Sequence, residues 1–204
     1  MISIKLNHQH VNVKAEQTIL DVAKKQGVRI PTLCHYSRGE SKDSPRAVCR
    51  VCVVEVKGVK GLQTACSTKV CDKMEIQTHS EAVVEARKVL VEFMLAENEG
   101  AKQDNKVKQL SAELEVESAR FSIAKDIKEK PKALLTEYFK IDPDLCVHCD
   151  RCIVACQSRK VITRCGFGHE VSTSFGDEEG IDASDCNHCG DCVSACPAGG
   201  ITKR

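Results

Sequence analysis

The sequence predicts an α+β chain built from two small cysteine-bearing units joined by a helical middle. Three observations lead there. Apolar and polar residues alternate at the N-terminus, in MISIKLNHQHVNV, as in a half-buried pair of strands. Fourteen cysteines occur in 204 residues, yet none lies between Cys71 and Cys146. Within that gap apolar residues recur at helical spacing. The expected units are residues 1–78, 79–130 and 131–204.

Composition narrows the function classes. With 30 basic and 29 acidic residues, a net charge of +1 and no long run of one sign, a sequence-independent grip on nucleic acid is not expected. Aromatic residues make up 3% of the chain and Trp is absent, which argues against base stacking. So few large side chains also give small domains little area to bury, so metal clusters are expected to help hold them together. The N-terminus lacks the basic and apolar regions of a signal peptide, and no apolar stretch approaches the roughly 20 residues that span a bilayer. A cytoplasmic location follows as the expectation, and there grouped cysteines indicate metal or redox chemistry rather than disulfides.

In the first unit, Ile2, Ile4 and Leu6 and then Val11 and Val13 alternate around the polar turn NHQH, which reads as a hairpin with one buried face. A helix follows: Thr18 and Asp21 have capping-box spacing, Ile19, Leu20, Val22 and Ala23 supply an apolar face, and Gly27 ends it. The run CVVEVKG, from Cys52 to Gly58, is strand-like. This order of hairpin, helix and cysteine loop resembles the β-grasp fold of plant-type 2Fe-2S ferredoxins. The resemblance implies Cys34, Cys49, Cys52 and Cys66 as ligands, with 14, 2 and 13 residues between them. Cys49 and Cys52 are expected to bind one iron from a single turn, and the flanking Cys34 and Cys66 the second. The last two spacings resemble the ferredoxin module of the NADH dehydrogenase large iron-sulfur subunit. The longer first gap is absorbed by the polar, turn-rich GESKDSP, read as a surface excursion. A four-cysteine zinc site is disfavoured, because zinc prefers two short cysteine pairs and only one is present. His35 is read as a surface or supporting residue and Cys71 as a spare thiol.

The last unit carries a repeat. DLCVHCDRCIVAC, ending at Cys156, is matched forty residues later by SDCNHCGDCVSACP, and both contain Cys-x2-Cys-x2-Cys-x3-Cys. Bacterial ferredoxins hold two 4Fe-4S cubanes with this run, the three close cysteines on one cubane and the fourth on the other. Cys146, Cys149, Cys152 and Cys196 are therefore expected on one cluster, and Cys186, Cys189, Cys192 and Cys156 on the second. Gln157 stands where Pro usually follows the fourth cysteine. His148 and His188, at equivalent places in the repeats, are read as incidental solvent-facing residues, and Cys165 as unligated.

In the middle, Thr78 and Glu81 have capping-box spacing ahead of a helix to Glu97 whose stripe is Val83, Ala86, Leu90, Phe93 and Met94. A second helix is expected over about Asn105 to Phe121, with Val107, Leu110, Leu114 and Val116 apolar, before the linker KDIKEKPK. The whole layout resembles the electron-transfer subunit of NAD-linked hydrogenases and the N-terminal region of the NADH dehydrogenase large iron-sulfur subunit, shared with NAD-linked formate dehydrogenases and some iron-only hydrogenases. In those relatives a His-x3-Cys-x2-Cys-x5-Cys motif between the two helices binds a further 4Fe-4S cluster. Here its ligands are missing and Asn98 stands about where the histidine would be, so one 2Fe-2S and two 4Fe-4S clusters are expected.

Fully thiolate-ligated clusters transfer single electrons, plant-type centres near roughly −400 mV. No dinucleotide fingerprint, phosphate-binding loop, catalytic triad or zinc-hydrolase motif is present. The chain is thus expected to have no catalytic site of its own. The resemblance implies a relay between a flavin/NAD(P)H-binding subunit and a catalytic metal subunit of hydrogenase or formate dehydrogenase type. Because the sequence stops soon after Cys196, the hydrogen-activating or molybdopterin domain fused to some relatives is expected on that partner. A freestanding polyferredoxin and an iron or redox sensor are the alternatives.

Overall fold

A computed structural model describes residues 1–36, 47–98, 105–121, 134–135, 138–156, 161–166, 171–175 and 186–204. The expected GESKDSP excursion, the KDIKEKPK linker and Gln157 lie outside these residues. Strands β1 (Ile2–Leu6) and β2 (Gln9–Val13) form the predicted antiparallel hairpin, with Ile4 opposite Val11 and Leu6 opposite Gln9. The turn is tighter than NHQH: only Asn7 and His8 lie outside the strands. Asn7 takes φ 54°, a left-handed conformation Asn tolerates well.

Helix α1 (Ile19–Lys25) starts at a complete capping box, in which Thr18 Oγ1 accepts from the Asp21 N–H and Asp21 accepts from the Thr18 N–H. Its buried face, Ile19, Leu20, Val22 and Ala23, packs on a five-stranded sheet of order β2-β1-β5-β3-β4, in which β3 is Val53–Val56, β4 Gln63–Thr64 and β5 Glu75–Gln77. The β1–β5 pair is parallel and the other pairs are antiparallel. Each fully buried aliphatic side chain here contributes on the order of 2 kcal/mol.

Helix α2 (Glu81–Glu97) departs from expectation at its start. Its N-cap is Ser80, which makes no side-chain capping bond, and the Thr78 N–H and hydroxyl both donate to Asn7 Oδ1, at 2.9 and 3.1 Å. Tying the hairpin turn to the end of β5 takes the hydroxyl that the capping box would need. The buried face is also rotated. Val83, Arg87, Val91, Met94 and Leu95 face inward, while Phe93 is 50% exposed and stacks with Phe121 at 4.4 Å between ring centroids. Helix α3 (Lys106–Glu113) is shorter than expected. The chain turns at Glu115, φ 55°, and the Ser111 hydroxyl donates to the Val116 carbonyl, so Val116 packs in the core from beyond the helix.

The last part holds a three-stranded sheet of order β10-β7-β6 (Ile201–Lys203, Phe139–Ile141, Leu134–Leu135) and a two-stranded sheet of β8 (Ile162–Cys165) and β9 (Ser172–Phe175). Two short helices, α4 (Arg151–Ala155) and α5 (Asp191–Ala195), lie within the two cysteine runs, between the second and fourth cysteines of each, and pack on each other. Among the described residues no helix is long and apolar enough to cross a membrane.

Replacing Thr18 by Ala removes a cap and should cost about 1 kcal/mol in anoxic urea unfolding. Ser80→Ala, whose hydroxyl caps nothing, should change stability by less than about 0.5 kcal/mol.

Candidate metal centres

The four N-terminal cysteines lie on the rim of the five-stranded sheet, all 8% exposed or less. Cys34 follows α1, Cys49 and Cys52 precede β3, and Cys66 follows β4. The connecting backbone is bent hard: Ala47 and Arg50 have φ 53° and 60°. Alternating left- and right-handed residues of this kind turn successive N–H groups toward one side, which suits an anionic ligand set. The Cys34 N–H donates to Cys49 Sγ at 3.4 Å, and the Ala65 N–H donates to the Cys52 carbonyl, which holds Cys66 beside Cys52.

Thiol contacts link the four sulfurs. The Cys49 thiol donates to Cys34, which brings the Cys34 pKa down to about 6 and drives that of Cys49 far above the thiol range. The Cys66 thiol does the same for Cys52, lowered to about 7, while its own value rises steeply. The strongest links are Cys34 with Cys49 and Cys52 with Cys66, and Cys34 and Cys49 also raise Cys66, so all four thiols act on one another.

In the last part, Cys146, Cys149, Cys152 and Cys196 line one cavity walled by Ile141, Val147, Pro197, Ala198 and Ile201. The cavity joins three cysteines of the first run to the fourth of the second, the crossover that the repeat predicted. Burial pushes the Cys149 thiol up to about 12 and raises Cys152 further, with neighbouring thiolates adding to both. Cys192 is pushed up to about 11, first by burial and then by Cys156 and Cys189. Cys156 and Cys186 also pack against the cluster containing Cys192. Metal bound at such a site takes the place of the thiol protons. Among the described residues no three His, Cys, Asp or Glu side chains converge as ligands of one ion. Four thiolates spread around a multi-iron cluster have no need to do so.

The two runs are built alike. His148 and His188 have φ 51° and 54°, and Asp150 and Gly190 have φ 61° and 79°, so both loops carry the same alternation before their helices. At Gly190 a Cβ would come within 2.8 Å of Lys203 Cε, a contact that Asp150 does not face in the first run. The two histidines are not equivalent surface residues, as the sequence suggested. His148 is half-buried with Nδ1 4.0 Å from Cys146 Sγ, whereas the exposed His188 stacks on Tyr138 at 3.7 Å. Cys71 and Cys165 are exposed, apart from both sets.

Sequence reasoning missed the core shared by the cysteine sites. Leu33, Cys34, Cys49 and Val51 pack in one buried cluster with Val91, Met94 and Leu95 of α2, Val107 and Leu110 of α3, and Cys149 and Ala198. Polar ties follow the same seam. Asn98 Nδ2 donates to the Leu145 carbonyl at 2.7 Å, next to Cys146, Asn105 Nδ2 reaches Asn98 Oδ1 at 3.4 Å, and the Lys106 N–H donates to the Pro197 carbonyl, next to Cys196. Arg151 lies over the Tyr36 ring, 4.8 Å from its centroid. The middle helices are therefore the wall between the two cysteine-bearing parts. A second missed residue is the fully buried Arg87, whose i, i+4 spacing with Val83 and Val91 marked it as inward-facing.

Residues 1–81 match the family described as "2Fe-2S iron-sulfur cluster binding domain" and residues 145–200 the "4Fe-4S dicluster domain". The NADPH-Fe(3+) oxidoreductase subunit alpha of Geobacter sulfurreducens is 31% identical over 177 residues, which are 80% of this chain and 20% of that protein. The NADP-reducing hydrogenase subunit HndD of Solidesulfovibrio fructosivorans is 32% identical over 184 residues, 86% of this chain and 30% of that one. The NAD-reducing hydrogenase HoxS subunit gamma of Cupriavidus necator is 30% identical over 159 residues, 74% and 64%. The chain thus spans about a fifth of the length of the first curated relatives it matches. A chain of an NAD+-reducing [NiFe]-hydrogenase crystal structure shares the fold, with a TM-score of 0.83 over 100% of this chain and 87% of that one at 20% identity.

Asn98→Ala would leave the Leu145 carbonyl without its partner and should cost about 2 kcal/mol, read by anoxic thermal unfolding.

Proposed function

We propose that this chain, which is similar to iron-sulfur subunits of NAD(P)-linked hydrogenases and NADH-quinone oxidoreductases, relays single electrons inside a multisubunit oxidoreductase. It carries a 2Fe-2S cluster-binding domain and a 4Fe-4S dicluster domain. In this reading Cys34 and Cys49 bind one iron of a 2Fe-2S cluster and Cys52 and Cys66 the other. Cys146, Cys149, Cys152 and Cys196 bind one cubane, and Cys186, Cys189, Cys192 and Cys156 bind the second. The clusters supply reversible one-electron storage. The protein supplies buried thiolates, oriented N–H groups and exclusion of water, which set the potentials.

The observation that carries the proposal is the common core in which Cys34 and Cys49 pack with Cys149. A second core joins Cys152 and Cys196, on the near side, to Cys156, Cys186 and Cys192. Electrons can pass along this packed line from the first site to the second and third. The electron donor in this reading is a flavin/NAD(P)H-binding subunit and the acceptor a catalytic metal subunit of hydrogenase or formate dehydrogenase type, both in the cytoplasm.

Anoxic purification at low salt tests the relay: both partners should accompany the chain in stoichiometric amount, and recovery as a lone monomer would point instead to a free ferredoxin. Iron and sulfide analysis should give about 10 irons per chain, from one binuclear and two tetranuclear clusters. A value near ~14 would reveal a further tetranuclear cluster. Cys34→Ser should weaken or abolish the binuclear paramagnetic signal and leave the tetranuclear ones in place.

A further inference from the structure

Arg87 is the largest fully buried side chain in the chain's described core, 1% exposed, on the face of α2 that packs against β3. Its Nη2 donates to the Val53 carbonyl at 2.7 Å, and its Nε has no hydrogen-bond partner among the described residues. Among the described residues no carboxylate lies within 4.0 Å of it. Glu113, whose charge also favours that of Arg87, is bound to Arg29 through two hydrogen bonds, at 2.6 and 2.5 Å. Burial lowers the pKa of Arg87 to about 10, so the guanidinium stays charged at neutral pH, and the group that most favours its charge is Cys52. A buried cation without an anion is costly, and native proteins pair such charges. Val53 directly follows Cys52, so the bond to its carbonyl places the guanidinium behind the thiolate loop.

We propose that Arg87 is the buried counter-charge of the Cys34, Cys49, Cys52 and Cys66 site and raises the midpoint potential of the binuclear centre held there. The inference rests on the cluster assignment above. Four thiolates around a 2Fe-2S core leave a net negative charge, and reduction adds one electron without making or breaking a bond. A fixed positive charge in a low-dielectric interior favours the more negative, reduced state. No proton is needed, because Arg87 is already charged. The residue touches no iron in this arrangement: it positions the loop through Val53 and acts on the centre through its field. Its place on α2 also couples the centre to the helix that forms the wall toward the dicluster part.

The test is an anoxic redox titration of the full chain with dithionite, followed by the paramagnetic signal of the reduced binuclear centre, in wild type, Arg87→Gln, Arg87→Met and Arg87→Lys. Gln retains a donor for the Val53 carbonyl without the charge, and Met retains length without either. At the wild-type midpoint the reduced-to-oxidised ratio should fall about tenfold in Gln and Met, a shift of about 59 mV for a one-electron couple. Lys should stay within about threefold of wild type. An unmoved potential in whichever uncharged variant keeps the signal overturns the inference. If both lose the binuclear signal while the tetranuclear signals persist, recovery in Lys supports the counter-charge, and loss in Lys as well overturns it. A wild-type chain without any binuclear signal would instead sink the cluster assignment itself.

Discussion

Everything in this structure turns on the burial of cysteine sulfur in an apolar interior. Cys34, Cys49, Cys52 and Cys66 are almost wholly removed from solvent, and Cys149 and Cys192 are nearly so. Burial raises the cost of ionising a thiol, and crowding sulfurs together makes each further thiolate charge cost more. Metal relieves both conditions at once, because it binds the thiolate and cancels its charge. The scarcity of large aromatic side chains fits the same constraint. A chain that folds around clusters needs less apolar area from its own residues.

Burying the sulfurs then dictates what surrounds them. The loops that carry them must turn N–H groups inward, and both dicluster runs and the Cys49 loop do so with left-handed residues at His148, Asp150, His188, Gly190, Ala47 and Arg50. Helices α2 and α3 present Val91, Leu95, Val107 and Leu110 to the same interior, and among the buried polar groups on these helices and at their ends two features bear on the thiol sites. One is the Asn98–Asn105 bridge, which satisfies the Leu145 carbonyl beside Cys146. The other is Arg87, whose charge is tolerable only where negative charge faces it. Both polar intrusions lie next to a thiol site, which ties the electrostatics of the middle segment to the sites on either side.

Local sequence patterns foresaw the local structure well. The alternation of Ile2, Ile4, Leu6, Val11 and Val13 is the register of β1 and β2, and the Thr18–Asp21 capping box starts α1 as expected. The errors share a cause. Thr78 was assigned to a cap on spacing alone, but its hydroxyl reaches Asn7, 71 residues away in sequence. Phe93 belongs to the predicted apolar stripe yet is half exposed, whereas Arg87, at i, i+4 from Val83 and Val91, is fully buried. Leu114 and Val116 lengthened the predicted α3, whereas the chain turns at Glu115 and still delivers Val116 to the core.

The cysteine repeats and their spacing determined by themselves that two dense thiol arrays sit at the ends of an α+β chain, because ligand spacing and backbone periodicity are local properties written over a few residues. The approach of the Cys34 N–H to the Cys49 sulfur, which face of α2 turns inward, and the packing of Cys34 and Cys49 in one core with Cys149 were decided only by the tertiary structure. Those outcomes depend on contacts between residues far apart in the chain. Their energies come from packing, desolvation and charge, which exist only once the parts have come together.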